Sequence, residues 1–175
     1  MNIWKLLTIT ATFLFASLAA PLAAPAAAQS LEAEMGQAAG AYERKDMATA
    51  ARIWKTWADK GNAEARTLLG AMYWSGEGVP RNHAEAARLF LLAADQGYAR
   101  AQNNIGFMYG FGEGIPPHND VDAYKWLTLA IKGYTPKNQD RLDQAIKDKA
   151  ALVKRMTKAQ IADADARVKA FKPKP

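Results

Sequence analysis

The sequence predicts an all-α protein built from helix–loop–helix units that repeat along the chain. Hydrophobic residues make up 50% of its 175 residues, which is enough to form a buried core, and alanine, the best helix former, supplies much of this share. Residues 61–96 and 97–132 are two copies of one pattern, with 13 of 36 aligned positions identical. The chain contains no cysteine, so packing rather than disulfides must stabilise it.

The first 28 residues are predicted to be a secretory signal peptide. Lys5 is their only charged residue, and the apolar run after it is about 15 residues long, shorter than the ~20 residues of a membrane-spanning helix. Ala26, Ala27 and Ala28 match the small-residue cleavage pattern, so Gln29 becomes the mature N-terminus. We therefore expect a periplasmic or secreted protein with no stable membrane insertion after cleavage.

Residues 29–60 are predicted to form a degenerate first repeat. Residues 42–46 are similar to the turn between the two helices of a unit. Ala50, Ile53 and Trp54 follow at the spacing of one buried helical face. This segment therefore extends the helical pattern upstream of the two clear copies.

The two clear repeats span residues 61–96 and 97–133, and each begins with a helix. Gly70 and Gly106 lie inside these helices, where glycine costs up to ~1 kcal/mol relative to alanine. We therefore expect another helix to approach closely at both positions. The positions with a structural role in the repeat are Ala65, Gly70, Tyr73, Gly76 and Gly78 in the first copy, and Ala101, Gly106, Tyr109, Gly112 and Gly114 in the second.

Each repeat continues through a glycine-rich loop into a second helix. Gly76 and Gly112 are predicted to end the first helix, because glycine readily adopts the left-handed conformation of a C-cap. Asn82 and Asn119 are predicted to be the N-caps of the second helix, which makes the second loop one residue longer than the first.

Residues 134–175 are predicted to form C-terminal capping helices and a tail. Residues 138–155 have the pattern of one helix. Thr157 and Gln160 have the spacing of a capping box at the start of another. The last five residues are predicted to be a frayed tail.

The repeated motif resembles the Sel-one-like repeat, a relative of the tetratricopeptide repeat. The matching pattern is Ala-x-x-x-Leu-Gly-x-x-Tyr, then Gly-x-Gly-Val-Pro, then Ala-Ala-x-x-Gly, and it covers residues 61–133 well and residues 36–60 weakly. The C-terminal part is similar to the ends of exported bacterial members. The resemblance implies a right-handed α-solenoid that acts as an adaptor and has no catalytic residues in its repeats.

The charge is unevenly distributed along the predicted mature chain. Residues 29–131 carry 10 basic and 12 acidic side chains, whereas residues 132–175 carry 12 basic and 5 acidic ones. This basic region has two interpretations. It is a solvated, lysine-rich helix face, or it is attracted to an anionic envelope surface or an acidic partner. We expect no nucleic-acid partner, because an exported protein rarely meets one.

Residues that could carry chemistry have structural explanations in this pattern. His83 and His118 precede the second helices of adjacent repeats, which packed helices place about 10 Å apart, too far to share one metal ion. Ser75 lacks the surroundings of an activated nucleophile. Glu77 and Glu113 are the most plausible carboxylate pair, but they recur within the repeat loop. We therefore predict no catalytic residue, metal or cofactor.

On the first helix of each repeat, the stripe of residues next to the buried stripe is predicted to bind a partner. We call it the second stripe. In related solenoids this stripe lines a concave groove, and core packing does not require large side chains there. Aromatic residues and arginine are enriched at binding hot spots. Packing against the neighbouring unit stays open as an alternative role for Trp74. The predicted partner-binding residues are Glu64, Thr67 and Trp74 in the first repeat, and Arg100, Asn103 and Phe107 in the second.

The sequence thus predicts a non-enzymatic adaptor or regulator in the bacterial periplasm that holds a protein or peptide of the cell envelope in a concave helical groove. Two alternatives stay open. The protein could be a cell-envelope enzyme, or an accessory to one, that acts on cell-wall material. It could also be mainly a structural subunit of a larger assembly.

Overall fold

The computed structural model describes residues 26–112 and 118–175, and the regular structure within these ranges is helical. Eight α-helices follow one another here, and a short 3-10 helix, Pro136–Asn138, precedes the seventh. The helices are α1 (Ala26–Glu43), α2 (Met47–Asp59), α3 (Ala63–Ser75), α4 (His83–Asp95), α5 (Ala99–Phe111), α6 (Asp120–Gly133), α7 (Gln139–Val153) and α8 (Lys158–Ala170).

Neighbouring helices pack in consecutive pairs. Helices α1 and α2, α3 and α4, and α5 and α6 form the pairs, and the second helix of one pair contacts the first of the next. Helix α6 packs against both α7 and α8, while α3 contacts α5 and α5 contacts α7. The first helices therefore form one layer and the second helices the other, which confirms the predicted all-α solenoid architecture.

Three clusters of buried side chains run along the stack, and a repeated tyrosine joins each to the next. Tyr73 packs against the first and second clusters, and Tyr109 packs against the second and third. Ala65 and Ala101, also at equivalent positions, are completely buried. The residues that recur in the sequence therefore hold one unit against its neighbour.

The predicted ends of the repeat helices are confirmed. Gly76 and Gly112 are left-handed C-caps with φ of +77° and +69°. Residues other than glycine rarely adopt this backbone conformation. The side chain of Asn82 accepts a hydrogen bond from the amide of Glu85, and Asn119 caps the next helix in the same way. The longer second loop is therefore also confirmed.

The two glycines inside the first helices are close-packing positions, as predicted. A Cβ atom added to Gly70 would lie 2.7 Å from Cε1 of Phe90 on α4. A Cβ atom added to Gly106 would lie 2.9 Å from Cγ and 3.1 Å from the backbone nitrogen of Leu127 on α6. The equivalent glycines therefore allow the two helices of each repeat to pack closely.

The C-terminal helices agree with the prediction, but the tail does not. Thr157 and Gln160 form the complete capping box of α8. Phe171 packs edge-on against Trp126, with ring centroids 5.6 Å apart. The backbone amide of Lys174 donates a hydrogen bond to the carbonyl of Asp95 at 2.8 Å. The prediction of a frayed tail is therefore wrong, because an aromatic contact and a backbone hydrogen bond hold it on α4 and α6.

Two predictions concern residues beyond the described ranges. Gly114 and Glu113 of the second loop lie outside them, as does most of the predicted signal peptide. Helix α1 begins at Ala26, so it crosses the predicted cleavage site after Ala28. Among the described residues, no helix combines the length and apolar character needed to cross a bilayer.

Candidate functional groove

The first helices of the units line a groove that consists of three cavities with shared walls. The central cavity, about 230 Å³, lies between α3 and α5 and includes Trp74 and Phe107. The N-terminal cavity, about 560 Å³, lies between α1 and α3. The C-terminal cavity, about 470 Å³, lies where α5 meets the segment before α7 and the start of that helix. Arg100 lines all three cavities, so it marks the middle of the groove.

Five of the six predicted partner-binding residues line this groove, and one does not. Trp74, Asn103 and Phe107 line the central cavity with Arg100, and Glu64 lines the two outer cavities. The prediction for Thr67 is wrong. Thr67 is completely buried, and its hydroxyl donates a hydrogen bond of 2.7 Å to the carbonyl of Ala63 within its own helix. Because the Thr67 side chain is small and its hydroxyl already has a hydrogen-bond partner in its own helix, the neighbouring helices can cover it.

Four aromatic rings form a continuous row, which we call the aromatic row, that passes through the central cavity. The imidazole of His83 stacks on Trp74 with centroids 4.6 Å apart. Trp74 meets Phe107 edge to face at 6.4 Å, and Phe107 stacks on Phe111 at 4.5 Å. Trp74 also packs against the second core cluster. The alternative role of packing is therefore confirmed for Trp74, and its role in partner binding stays a prediction.

Two arginines from different helices meet at the groove. Arg100 on α5 and Arg141 on α7 both line the central and C-terminal cavities. Within residues 26–112 and 118–175, neither guanidinium forms an ion pair or a hydrogen bond with a carboxylate. Burial lowers the pKa of Arg100, and the like charge of Arg141 lowers it further. Glu64 lines the C-terminal cavity with both arginines, and its charge acts on the pKa of Arg100 in the opposite direction. Two guanidiniums and one carboxylate leave this part of the groove with a net positive charge.

Two residues that line the groove also have buried polar atoms without hydrogen-bond partners. The side-chain oxygen of Asn103 is buried and unpartnered, and so is the indole nitrogen of Trp54, which lines the N-terminal cavity. Buried polar atoms in proteins normally have partners, so exceptions need an explanation. A side-chain amide offers a donor and an acceptor together, which matches the backbone of an extended peptide.

The opposite end of the groove is acidic. Glu43, Glu64 and Glu77 line the N-terminal cavity. The hydroxyl of Tyr42 donates a hydrogen bond of 2.7 Å to Glu77, and this bond raises the pKa of Tyr42. Glu77 thus makes a contact between the first two units. Carboxylates are therefore most numerous in the N-terminal cavity, while the two arginines occur together in the central and C-terminal cavities, the second of which Glu64 also lines.

The two histidines have contacts that explain their positions without a metal. His83 belongs to the aromatic row. The Nε2 atom of His118 lies 2.7 Å from the carbonyl oxygen of Gly110 and 2.8 Å from Nη2 of Arg155. Arg155 also pairs with Asp120 at 2.6 Å, which ties the end of α7 to α6. The described part of the chain contains no group of three or more His, Asp or Glu residues arranged to hold a metal ion.

Sequence reasoning missed three residues of this region. Arg141 lies on α7, a polar helix whose sequence does not match the first helices of the two clear repeats, so periodicity gave no signal for it. Tyr42 precedes the clear repeats, and Phe111 immediately precedes the C-cap glycine of α5. An aromatic residue three or four positions after Phe107 was the available signal for Phe111, because such residues share a helical face.

Comparison with known proteins identifies the repeat and the fold. The Sel1 repeat family matches residues 63–98 and 99–134. A protective antigen present in uropathogenic Escherichia coli strains, which displays an SLR fold, aligns with 83% of this chain at a TM-score of 0.70 and 23% identity. A Sel1 repeat protein from Oxalobacter formigenes aligns with 76% at a TM-score of 0.55 and 26% identity. This chain spans 30% and 58% of those two structures, respectively. No curated protein matches the sequence significantly.

Proposed function

We propose, from the premise that this chain is a Sel1-repeat protein, that it is a non-enzymatic adaptor or regulator whose groove binds a peptide segment of a partner protein. Sel1 repeat proteins generally mediate protein–protein interaction, and their fold is typically a non-catalytic scaffold. The proposal adds a site, the groove along α1, α3, α5 and α7. It also adds a location, the cell envelope, which rests on the N-terminal signal-peptide pattern.

The observation that carries this proposal is the aromatic row. Phe111 is 42% exposed although it is a large apolar side chain. Phe107 and Trp74 line the central cavity, and Trp74 also packs against the second core cluster. Around them stand Arg100, whose guanidinium contacts no carboxylate of the described residues, and Asn103, whose buried side-chain oxygen has no hydrogen-bond partner among them. Aromatic anchors surrounded by polar groups are typical of binding hot spots.

Site-specific photocrosslinking in the native envelope tests the location of the binding site. We would place a photoreactive phenylalanine at Phe111, on the aromatic row, and at Leu92, which is 37% exposed on α4. Because the two positions have similar exposure, non-specific capture should be similar at both. We expect one discrete crosslinked partner at Phe111 that is absent at Leu92.

The crosslink must also depend on the groove. In a chain that carries the Phe111 probe, Asn103→Ala should remove the partner band while total protein and helicity stay the same. Equal capture of one partner from Leu92 and Phe111, unchanged by Asn103→Ala, would mean that the groove is not the binding site.

A further inference from the structure

Arg100 and Arg141 concentrate positive charge at the one place where the three cavities meet. Both line the central and C-terminal cavities, and Arg100 also lines the N-terminal cavity. Arg100 is half-buried, and Arg141 is exposed on α7. A cation that has lost part of its hydration is stabilised by a nearby anion. No carboxylate of the described residues is in direct contact with either guanidinium, and Glu64 acts on Arg100 only from beyond ion-pair distance.

The surroundings restrict what the anion can be attached to. Trp74 and Phe107 form the adjacent wall of the central cavity, so the ligand must place a bulky apolar group beside its negative charge. Asn103 lines the same cavity, and a side-chain amide can accept a hydrogen bond from a backbone N–H and donate one to a backbone carbonyl. A peptide with a carboxylate next to an apolar side chain can contact the arginines, the aromatic rings and Asn103 together.

The position of Arg100 indicates that the carboxylate it binds belongs to an internal residue of the peptide rather than to the end of a chain. Cavities continue on both sides of it, toward α1 and toward α7. An extended segment that fills them passes over Arg100 in mid-chain, so an aspartate or glutamate side chain supplies the carboxylate.

The acidic end of the groove limits the charge of the rest of the segment. Glu43 and Glu77 line only the N-terminal cavity, and Glu64 lines both outer cavities, so a polyanion would be repelled most strongly over α1 and α3. The part of the ligand over α1 and α3 is therefore neutral or basic. This arrangement disfavours long acidic runs and nucleic acid, and it sets the direction of the charge pattern along the segment.

We propose that the groove selects an internal peptide segment in which an aspartate or glutamate, paired by Arg100 and Arg141, stands next to a bulky apolar residue held by Trp74 and Phe107, with neutral or basic residues toward α1. This inference rests on the proposed function, since it specifies the ligand of that same groove. In the free protein the two arginines repel each other, and the bound carboxylate relieves that repulsion.

A peptide selection followed by direct affinity measurement tests this specificity. Random 12-residue peptides, flanked at both ends by glycine–serine linkers, would be selected on the protein as exported. Selected peptides would be labelled with fluorescein and titrated by fluorescence anisotropy at low and high salt. We expect enrichment of an acidic residue beside a bulky apolar one. Replacing that residue with its amide should weaken binding roughly tenfold or more, the usual scale of a charge-assisted hydrogen bond.

Matched variants of the protein locate the effect. Arg100→Gln with Arg141→Gln should weaken binding of the acidic peptides by about tenfold and remove most of their salt dependence. Arg52→Gln is the control, because Arg52 is exposed on α2 and lines none of the three cavities. Arg100→Gln alone should leave the thermal midpoint unchanged or raise it, since it removes a half-buried cation next to Arg141.

The possible results separate this inference from the proposed function. Selected peptides that lack acidic residues, and that lose affinity with Phe107→Ala but not with the arginine variants, overturn the inference and leave the groove as the binding site. Peptides that bind only with a free C-terminal carboxylate overturn the internal position. Peptides whose binding is unaffected by all of these variants overturn both proposals.

Discussion

The indole of Trp74 meets the phenyl ring of Phe107 edge to face, with centroids 6.4 Å apart and planes at 79°. The two rings belong to the first helices of adjacent repeats, so their contact joins two units on the groove side. Edge-to-face pairs of this kind are worth about 0.5–1.5 kcal/mol beyond the burial of their surface. This pair therefore stabilises the groove and also presents an apolar surface to a ligand.

Phe107→Ala combined with Asn103→Ala should weaken partner binding by roughly thirtyfold or more, the effect of losing a hot spot worth 2 kcal/mol. The variant removes one aromatic wall of the central cavity and an amide that lacks a partner. The dissociation constant for the crosslinked partner checks the expected loss, and circular dichroism should show unchanged helicity.

Charge reversal on the C-terminal helices provides the comparison for the groove variant. Lys154 and Lys158 are exposed, so Lys154→Glu with Lys158→Glu should mainly change the association rate and its salt dependence. Normal binding by the groove variant together with failure of the charge-reversal variant would place the binding site on the C-terminal helices instead.

Gly106→Ala should lower the free energy of unfolding by about 1–3 kcal/mol, the usual cost of overpacking. The added methyl group would stand 3.1 Å from the backbone nitrogen of Leu127, and backbone moves less easily than a side chain. Gly70→Leu should also destabilise, because its Cβ would lie 2.7 Å from the ring of Phe90. Urea denaturation measures both effects.

Gly36 is the matched control for the packing glycines. It also lies within a helix, but an added Cβ would meet nothing within 4 Å. Gly36→Ala should therefore be neutral or stabilise the protein by up to ~1 kcal/mol through helix propensity. Equal effects at Gly36 and Gly106 would contradict close packing between α5 and α6.

Phe171→Ala should lower the free energy of unfolding by about 1–3 kcal/mol, less than the loss of a fully buried phenylalanine. The ring packs edge-on against Trp126, and the Lys125 ammonium lies 5.6 Å from its centre. Lys172→Ala is the control, because this neighbouring side chain is exposed. A variant as stable as the control would show that the tail does not contribute to the fold.

Export with cleavage after Ala28 should yield a mature chain that begins at Gln29. The small residues at 26–28 allow a signal peptidase to approach the backbone. Intact-mass and N-terminal analysis of the natively exported protein measure the cleavage point. Recovery of the chain in the membrane fraction with Met1 still present would contradict this prediction.

The sequence by itself determined the fold class, the repeat and most helix ends. These features depend on local chemistry that recurs at a fixed spacing. Gly76 and Gly112 end α3 and α5 because of their own backbone freedom. Asn82 and Asn119 cap the starts of α4 and α6, where each side chain accepts a hydrogen bond from the backbone amide three residues later. Even the close packing at Gly70 was predictable, because a glycine inside a helix is unfavourable without a neighbour that needs the space.

Only the tertiary structure decided which members of the second stripe reach the groove and what joins them there. Thr67 and Asn103 are equivalent in sequence, yet neighbouring helices cover Thr67 while Asn103 lines the central cavity. Arg141 joins Arg100 because α7 packs against α6 and contacts α5, and Phe171 returns to Trp126. Burial and charge at such positions depend on residues distant in the chain, and the periodicity of one helix carries no information about them.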